Sequence, residues 1–365
     1  MPRTETYTLN MGPQHPSTHG VLQVQLELDG ERILKATPVM GYLHRGIEKL
    51  LEDRTYIQGL PYTDRLDYVS SMNNNFGYAL AVEELAGIET TRRAEYIRVI
   101  MAELNRINSH LIFIGTLAND LGASTGMLYC FRDREKILDI FNLVCGARQT
   151  FHYIRIGGVK EDLTPEAETM IRAFLHEVPM FLDEYNKLLT GNEIFVRRIV
   201  GTSPMTTEEA LRYNMTGPNL RATGLPFDLR KVDGYSVYDE FEFDVPVGVH
   251  GDNWDRYQVK LGEIAQSARI IRQAIEGLPA GDFMGKVPKV VKPPKGEVFS
   301  RTEGTRGELG FYIVSDGTPK PYRIHIRRPS FVNMQGLDAM CRGMLIGDSV
   351  AAYSSIDPIM GEVDC

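Results

Sequence analysis

Two apolar stripes set the strongest limit on how this chain can fold. Ile97, Ile100, Leu104, Ile107, Leu111 and Ile114 are spaced 3-4-3-4-3. That spacing lines one face of an α-helix and predicts a helix of about 25 residues. Tyr257, Leu261, Ile264, Ala268, Ile271 and Ile275 repeat at 4-3-4-3-4 and predict a second long helix. Each stripe needs a partner to cover it, so both helices are expected in one packed core. A third helix is expected over Asp133–Tyr153, with Ile137, Phe141, Val144, Arg148 and Phe151 in register. A fourth opens at Thr164-Pro165-Glu166, with Thr as cap, Pro at the first helical position and Glu favoured by the dipole. It is expected to kink at Pro179 and to stop at Gly191.

The ends of the chain read differently. From Leu22, alternation puts Leu22, Val24, Leu26 and Leu28 on one face and Gln23, Gln25 and Glu27 on the other. Asp29-Gly30 follows, and the pattern is that of a β-hairpin returning through Ile33–Ala36. Gly310–Val314 and Tyr322–Ile326 read as paired strands around Ser315-Asp316-Gly317. The fold class is therefore α+β: a central bundle of long helices with small antiparallel sheets from the N- and C-terminal parts. Between them, a helix is expected over Ile47–Gln58, broken by Leu60-Pro61. Thr63 and Asp64 are plausible caps of the next one, which runs to about Gly87. Thr206 and Glu209 have capping-box spacing. Residues 278–310, rich in Gly, Pro and Lys, read as a surface crossing, and helical pieces are expected at Met334–Leu345 and Ser349–Ser355. Residues 1–45, 46–277 and 278–365 are expected to form one integrated domain.

Composition narrows the function classes. The charged fraction is 24% and the net charge is −8, which gives no support for nucleic acid binding. No apolar run approaches the ~20 residues of a membrane span, and the first residues carry no apolar signal region. An intracellular, non-spanning chain is expected. Cys130, Cys145, Cys341 and Cys365 include no C-x-x-C pair, which argues against a thiolate-held metal cluster. No P-loop, G-x-G-x-x-G, H-E-x-x-H or G-x-S-x-G is present.

The polar motifs are scattered. In Gly12-Pro13-Gln14-His15-Pro16-Ser17-Thr18-His19-Gly20, two histidines sit four residues apart on a run too rich in Pro and Gly for helix or central strand. Imidazole titrates nearest neutral pH, so the pair reads as a candidate proton-transfer or ligand site. A zinc hydrolase built on His15 and His19 would lack a third ligand at recognisable spacing. The other clusters are His44-Arg45, Asp64-Arg65-Leu66-Asp67-Tyr68, Asn119-Asp120-Leu121-Gly122 and Asp357-Pro358.

Together with Leu43–Lys49, Gly157-Gly158-Val159, Asp228–Lys231, Phe243–Gly248 and Gly361–Asp364, these motifs follow one another from residue 12 to residue 364. In that order the chain resembles the NuoD-type subunit of respiratory complex I, a family related to the large subunit of nickel–iron hydrogenases. The resemblance implies the hydrogenase large-subunit-like fold. Those enzymes hold their metals with two C-x-x-C pairs, whose positions fall here on Asp67 and Ser70 and on Ile359 and Glu362. Redox-active soft metals require such thiolates, so no metal and no cofactor is expected on this chain. The vacated cavity is expected to receive a quinone. By motif, His19 and Tyr68 are the implied proton donors, with Asp120 paired to His19, and His15, Asp67 and Thr116 are implied to line the cavity. Electrons would come from a tetranuclear iron–sulfur cluster on a neighbouring subunit, close to Arg45 and Thr150. Arg45 could equally pair with Glu48 at the start of its helix. Many members carry a histidine where this chain has Thr150, after Gly146-Ala147-Arg148, and threonine cannot couple cluster reduction to protonation. That difference favours a low-potential quinone such as menaquinone.

The implied function is that of a peripheral-arm subunit of a proton-translocating quinone oxidoreductase, on the cytoplasmic side of the cell membrane. Its implied partners are NuoB-type (cluster-bearing), NuoC-type and NuoH-type subunits. The alternatives are a structural scaffold subunit or a hydrogenase-type large subunit of a related complex.

Overall fold

The computed structural model describes residues 6–14 and 20–365. His15 and His19 therefore lie outside the described residues. Three antiparallel strands open the chain: β1 (Thr6–Gln14), β2 (Leu22–Asp29) and β3 (Arg32–Val39), in that spatial order. The β2–β3 hairpin turns at Gly30, and Leu22, Val24, Leu26 and Leu28 are buried as the alternation requires. Pro13 lies in β1, at the sheet edge, where the register is broken between Met11 and Gln14. An edge strand with an irregularity is where a sheet tolerates a residue without an N–H. The apolar face of this sheet packs against Met334, Leu337, Met340, Ile356 and Met360, so the two ends of the chain share one core.

The next expectation needs correction. Helix α1 (Ile47–Glu52) stops early, and α2 (Tyr56–Thr63) starts at a capping box in which Thr55 and Gln58 satisfy each other's backbone N–H groups. Pro61 lies inside α2 and does not end it. Asp64 does not open the following helix; it is the C-cap of α2, and α3 (Ser71–Ala86) begins seven residues later.

Helix α4 (Arg92–Asp120) is the axis of the molecule. All six residues of its apolar stripe are fully buried. So are Arg98, Glu103, Arg106 and His110 on its other faces, because α4 is wrapped on all sides. Its main neighbours are α5 (Ser124–Cys145) and the Asn253–Glu276 helix that carries the second stripe. Helix α5 lies about nine residues earlier than the expected Asp133–Tyr153. It ends at Gly146, which takes the left-handed C-cap conformation. The residues after it, including Arg148, Thr150 and Phe151, form a loop leading to the short pair β4 (Ile154–Arg155) and β5 (Gly158–Val159). Helix α6 (Pro165–Tyr185) runs through Pro179, and Asn186–Thr190 form a wider π-helical turn before Gly191.

The expected crossing at 278–310 is strand in its second part. β6 (Gly296–Gly304) pairs with β7 (Gly307–Ser315), which pairs with β8 (Arg323–Arg327), and β6 and β7 pack on α3. The charged residues of Glu297-Val298-Phe299-Ser300-Arg301-Thr302-Glu303 hide the alternation, since Glu303 is one of the buried positions. At the tip of this hairpin, two backbones touch. A Cβ on Gly217 would lie 2.3 Å from the Gly307 Cα, and Gly217 has φ +67 and ψ −147, a region open to glycine alone. Thr305 and Arg306 form the turn between the paired residues Gly304 and Gly307. Gly217→Ala is expected to destabilise the protein by about 3 kcal/mol from strain and overpacking together. Thermal unfolding would check it, and an unchanged melting temperature would refute the contact.

Candidate functional site

The segment between α2 and α3 presents Asp67 and Tyr68. The Asp67 Oδ1 accepts the N–H groups of Val69 and Ser70, both at 3.1 Å, which pins the bend before α3. Its Oδ2 accepts Arg306 Nη1 at 2.7 Å. The other arm of that guanidinium donates to Asp357 Oδ1 at 3.1 Å, and Asp357 Oδ2 accepts Lys260 Nζ at 2.6 Å. Four elements distant in sequence thus meet in one buried ionic chain, Asp67–Arg306–Asp357–Lys260. Glu362, also buried, accepts both the hydroxyl and the N–H of Ser330.

Burial dominates the titration of this chain. It raises Asp67 against the opposing pull of Arg306. Burial, helped by the charge of Asp67, pushes the Glu362 carboxyl up to about 7. Burial also lowers Lys260 to about 8, despite Asp357. Asp67, Ser70, Ile359 and Glu362, which the resemblance sets against the four hydrogenase thiolates, are all buried. Among the described residues, no group of three or more His, Cys, Asp or Glu is placed to hold a metal ion. Cys130, Cys145, Cys341 and Cys365 are all free thiols.

Beside this chain lies a cavity of about 270 Å³. Tyr68, Val69, Asn108, Thr116, Phe131, Phe151 and Ile359 line it, along with Arg134, Arg148 and Gln149. It is mostly apolar with a few polar groups, the usual make-up of a small-molecule site. Tyr68 is wedged against the C-terminal tail: a Cβ on Gly361 would sit 3.1 Å from its Cε1 and 2.9 Å from the Leu66 carbonyl. Its hydroxyl faces Gly20, whose Cβ would be 3.7 Å away. Burial raises the Tyr68 pKa, so the phenol stays protonated at neutral pH. Thr116 shares the cavity, although its hydroxyl donates to Phe113 O at 3.1 Å.

The remaining expected residues spread around this centre. Asp120 ends α4, is half-buried and accepts the Ser354 hydroxyl at 2.6 Å; it is not on the cavity lining. Arg45 does not pair with Glu48, which is taken by Arg323 and His325. Its guanidinium donates instead to the Arg65 carbonyl at 2.7 Å and the Gly361 carbonyl at 3.2 Å. Thr150 and His152 are not helical: both have positive φ, +52 and +47, on the loop that supplies Arg148, Gln149 and Phe151 to the cavity. Sequence reasoning alone does not single out Arg306 or Lys260. The only signal for Arg306 was its place between Gly304 and Gly307 in a tight turn, and Lys260 gave none.

Residues 120–293 and 287–365 match the family model described as respiratory-chain NADH dehydrogenase, 49 Kd subunit. The chain is 52% identical over 365 residues to the D subunit of the NADH-quinone oxidoreductase of Carboxydothermus hydrogenoformans, with all of both chains covered. It is 53% identical to the corresponding protein of Desulforamulus reducens over 362 residues, covering 99% of each. That of Dehalococcoides mccartyi is likewise 53% identical over 363 residues, with 99% of each covered. The chain belongs to this 49 kDa family of respiratory complex I. For this 49 kDa family member, the match takes in Asp120, Thr150, Lys260, Arg306 and the tail from Asp357 to Asp364. Arg45, Asp67, Tyr68 and Thr116 precede the matched residues and fall within the full-length relatives. The α+β fold expected from the sequence is the one found. Among the described residues, no helix is long and apolar enough to cross a membrane.

Proposed function

We propose that this chain forms the quinone head-group cavity of an NADH–quinone oxidoreductase complex, in its peripheral arm on the cytoplasmic side of the cell membrane. The observation that carries the reading is that Tyr68 and Ile359, a residue beside and a residue at the lost thiolate positions, line one largely apolar cavity. Where a hydrogenase relative would hold metal, this chain has an internally neutralised ionic chain and room for an organic acceptor.

Reduction of a quinone by two electrons puts negative charge on two carbonyl oxygens, and each needs a donor. Tyr68, kept protonated by burial, donates to one oxygen and stabilises it as charge develops. His19 is the donor to the other in this reading; Gly20, its neighbour in sequence, lies at the Tyr68 hydroxyl. Asp120 supports His19 as imidazolium, and His15, Asp67 and Thr116 shape the surroundings. Asp67 does so indirectly, since its carboxylate is committed to Arg306. Electrons enter at the corner of Arg45 and Thr150 from the tetranuclear cluster of a NuoB-type neighbour, and NuoC-type and NuoH-type subunits complete the surroundings. The stretches 1–45, 46–277 and 278–365 act as one domain.

Tyr68→Phe in the assembled complex tests this. Loss of one such donor is expected to lower quinone turnover by roughly 10²–10³-fold, while the upstream donor still reduces the clusters. Normal quinone turnover in the variant would sink the assignment.

A further inference from the structure

The cavity beside Tyr68 takes one wall from α4 and another from α5, and their geometry sorts its polar groups. Asn108, Ile112 and Thr116 share one face of α4, and Met127, Phe131 and Arg134 share one face of α5; all of them line the cavity. Residues 121–123 join the two helices, which pack antiparallel. A Cβ on Gly115 would lie 3.3 Å from the Met127 Cα, and one on Gly126 would lie 3.0 Å from the Ala118 Cβ. Thr116 and Met127 therefore sit at the joined end of the pair, and Asn108 and Arg134 at the far end.

Both polar residues at the far end carry an unmatched atom. Asn108 Nδ2 donates to the Val69 carbonyl at 3.4 Å, and its buried Oδ1 accepts from no described residue. The Nε of half-buried Arg134 is itself buried and donates to none. Among the described residues this guanidinium has no acidic partner; it lies over the Phe131 ring, 5.6 Å from the centroid. Arg148, the other cation on the lining, is held by Glu135 and Asp139. Burial lowers the Arg134 pKa against the pull of Glu135, but a guanidinium stays charged at neutral pH. An unmatched donor and an unmatched acceptor in one cavity are costly, and a ligand that offers both functions removes that cost. A carbonyl oxygen answers Arg134 alone. A hydroxyl accepts from Arg134 and donates to Asn108.

We propose that Asn108 and Arg134 form a hydroxyl-binding end of this cavity, which holds an oxygen of the reduced quinone head group and prefers quinol to quinone. The inference rests on the proposed function above, which supplies the occupant. Reduction balances as quinone plus two electrons, taken by the complex from NADH, plus two protons drawn through the donors from solvent, giving quinol. Arg134 gives up no proton. It stabilises the oxygen while that atom carries negative charge, and the remaining lone pairs leave room for a proton donor. Once the oxygen is protonated, its O–H points to Asn108 Oδ1. Quinol thus gains a hydrogen bond that quinone cannot make.

The test is competition in the assembled complex, with a methylated naphthoquinone as acceptor and its quinol as inhibitor. The quinol inhibition constant is expected to lie roughly tenfold below the quinone KM, the effect of one added hydrogen bond in a dry site. Asn108→Leu should erase this preference, and Asn108→Asp, which keeps an acceptor, should retain it. Arg134→Gln should weaken binding of a hydroxynaphthoquinone, an anion at neutral pH, by roughly 10–100-fold. It should weaken the neutral naphthoquinone far less, and Arg134→Lys should recover part of the loss. A merely structural role would move quinone and quinol together. Equal losses for both in Asn108→Leu would overturn the proposal. So would a quinol preference unchanged in Asn108→Leu and Arg134→Gln, which would mean that water alone fills this end. Normal quinone turnover in Tyr68→Phe, with no competition by quinol in the wild type, would fail the cavity assignment itself. Impaired turnover in Tyr68→Phe, with the Asn108 and Arg134 variants unmoved, would fail this inference alone.

Discussion

Arg306→Met is expected to destabilise the protein by about 3–5 kcal/mol at pH 8, the usual cost of removing one partner from a buried ion pair. The Arg306 guanidinium donates to Asp67, Asp357, Ser109 and Thr305, and its Nε reaches the Asp357 carbonyl at 3.2 Å. Methionine fills much of the volume and answers none of these acceptors. The pH dependence follows from the sign of the shifts. Asp67 and Glu362 are already raised by burial, and the loss of their cation raises them further. In the variant, the native state then holds more protons than the unfolded chain between about pH 4 and 8, so stability falls as pH rises across that window. Thermal unfolding at pH 6 and pH 8 would read this as a larger deficit at pH 8. Equal deficits would show that Arg306 is not the counter-charge of these carboxylates.

Glu103→Leu is expected to cost a similar 3–5 kcal/mol, with the opposite pH behaviour. Glu103 is the hub of the second buried network. It accepts Arg230 Nη1 at 3.0 Å, the Ser267 hydroxyl at 2.6 Å and the Tyr238 hydroxyl at 2.7 Å, and it pairs with Arg106 at 3.3 Å. Burial works to raise its pKa, but Arg106 and Arg230 overcome that and hold it below the ordinary carboxylate range. Its stabilisation is therefore complete above about pH 5 and is lost only as pH falls through the lowered value. The deficit of Glu103→Leu relative to wild type should be constant from pH 6 to 8 and shrink only in acid. Glu103→Gln, which keeps the shape and loses the charge, should fall between the two. A neutral outcome for Glu103→Leu would mean that the network contributes no more than a well-packed apolar core would.

Much of the architecture was legible because it depends on local periodicity. The stripes of Ile97–Ile114 and Tyr257–Ile275 lie on buried helix faces, and the Leu22–Leu28 alternation is a strand with its apolar side inward. Where two signals competed, the reading slipped. Pro61 outweighed the Thr55/Gln58 capping box, and Arg148 and Phe151 extended a 3.6-residue pattern past the C-cap at Gly146. Charged residues concealed β6, since Glu303 is turned inward to meet Arg221.

For the site, the sequence by itself determined that no C-x-x-C pair is present, that Asp67, Ser70, Ile359 and Glu362, which the resemblance sets against the thiolates of a hydrogenase, are not cysteines, and that Tyr68 stands next to the first. Residue identity is enough to exclude a ligand. It is not enough to say what replaces it. That Arg306 neutralises Asp67 and Asp357, that Lys260 closes the chain, that Thr116 and Ile359 share a cavity with Tyr68, and that Asp64 is buried without a matching donor are decisions of the tertiary structure. Charge compensation and desolvation act between groups as distant as Asp67 and Arg306, 239 residues apart, and no local spacing encodes them.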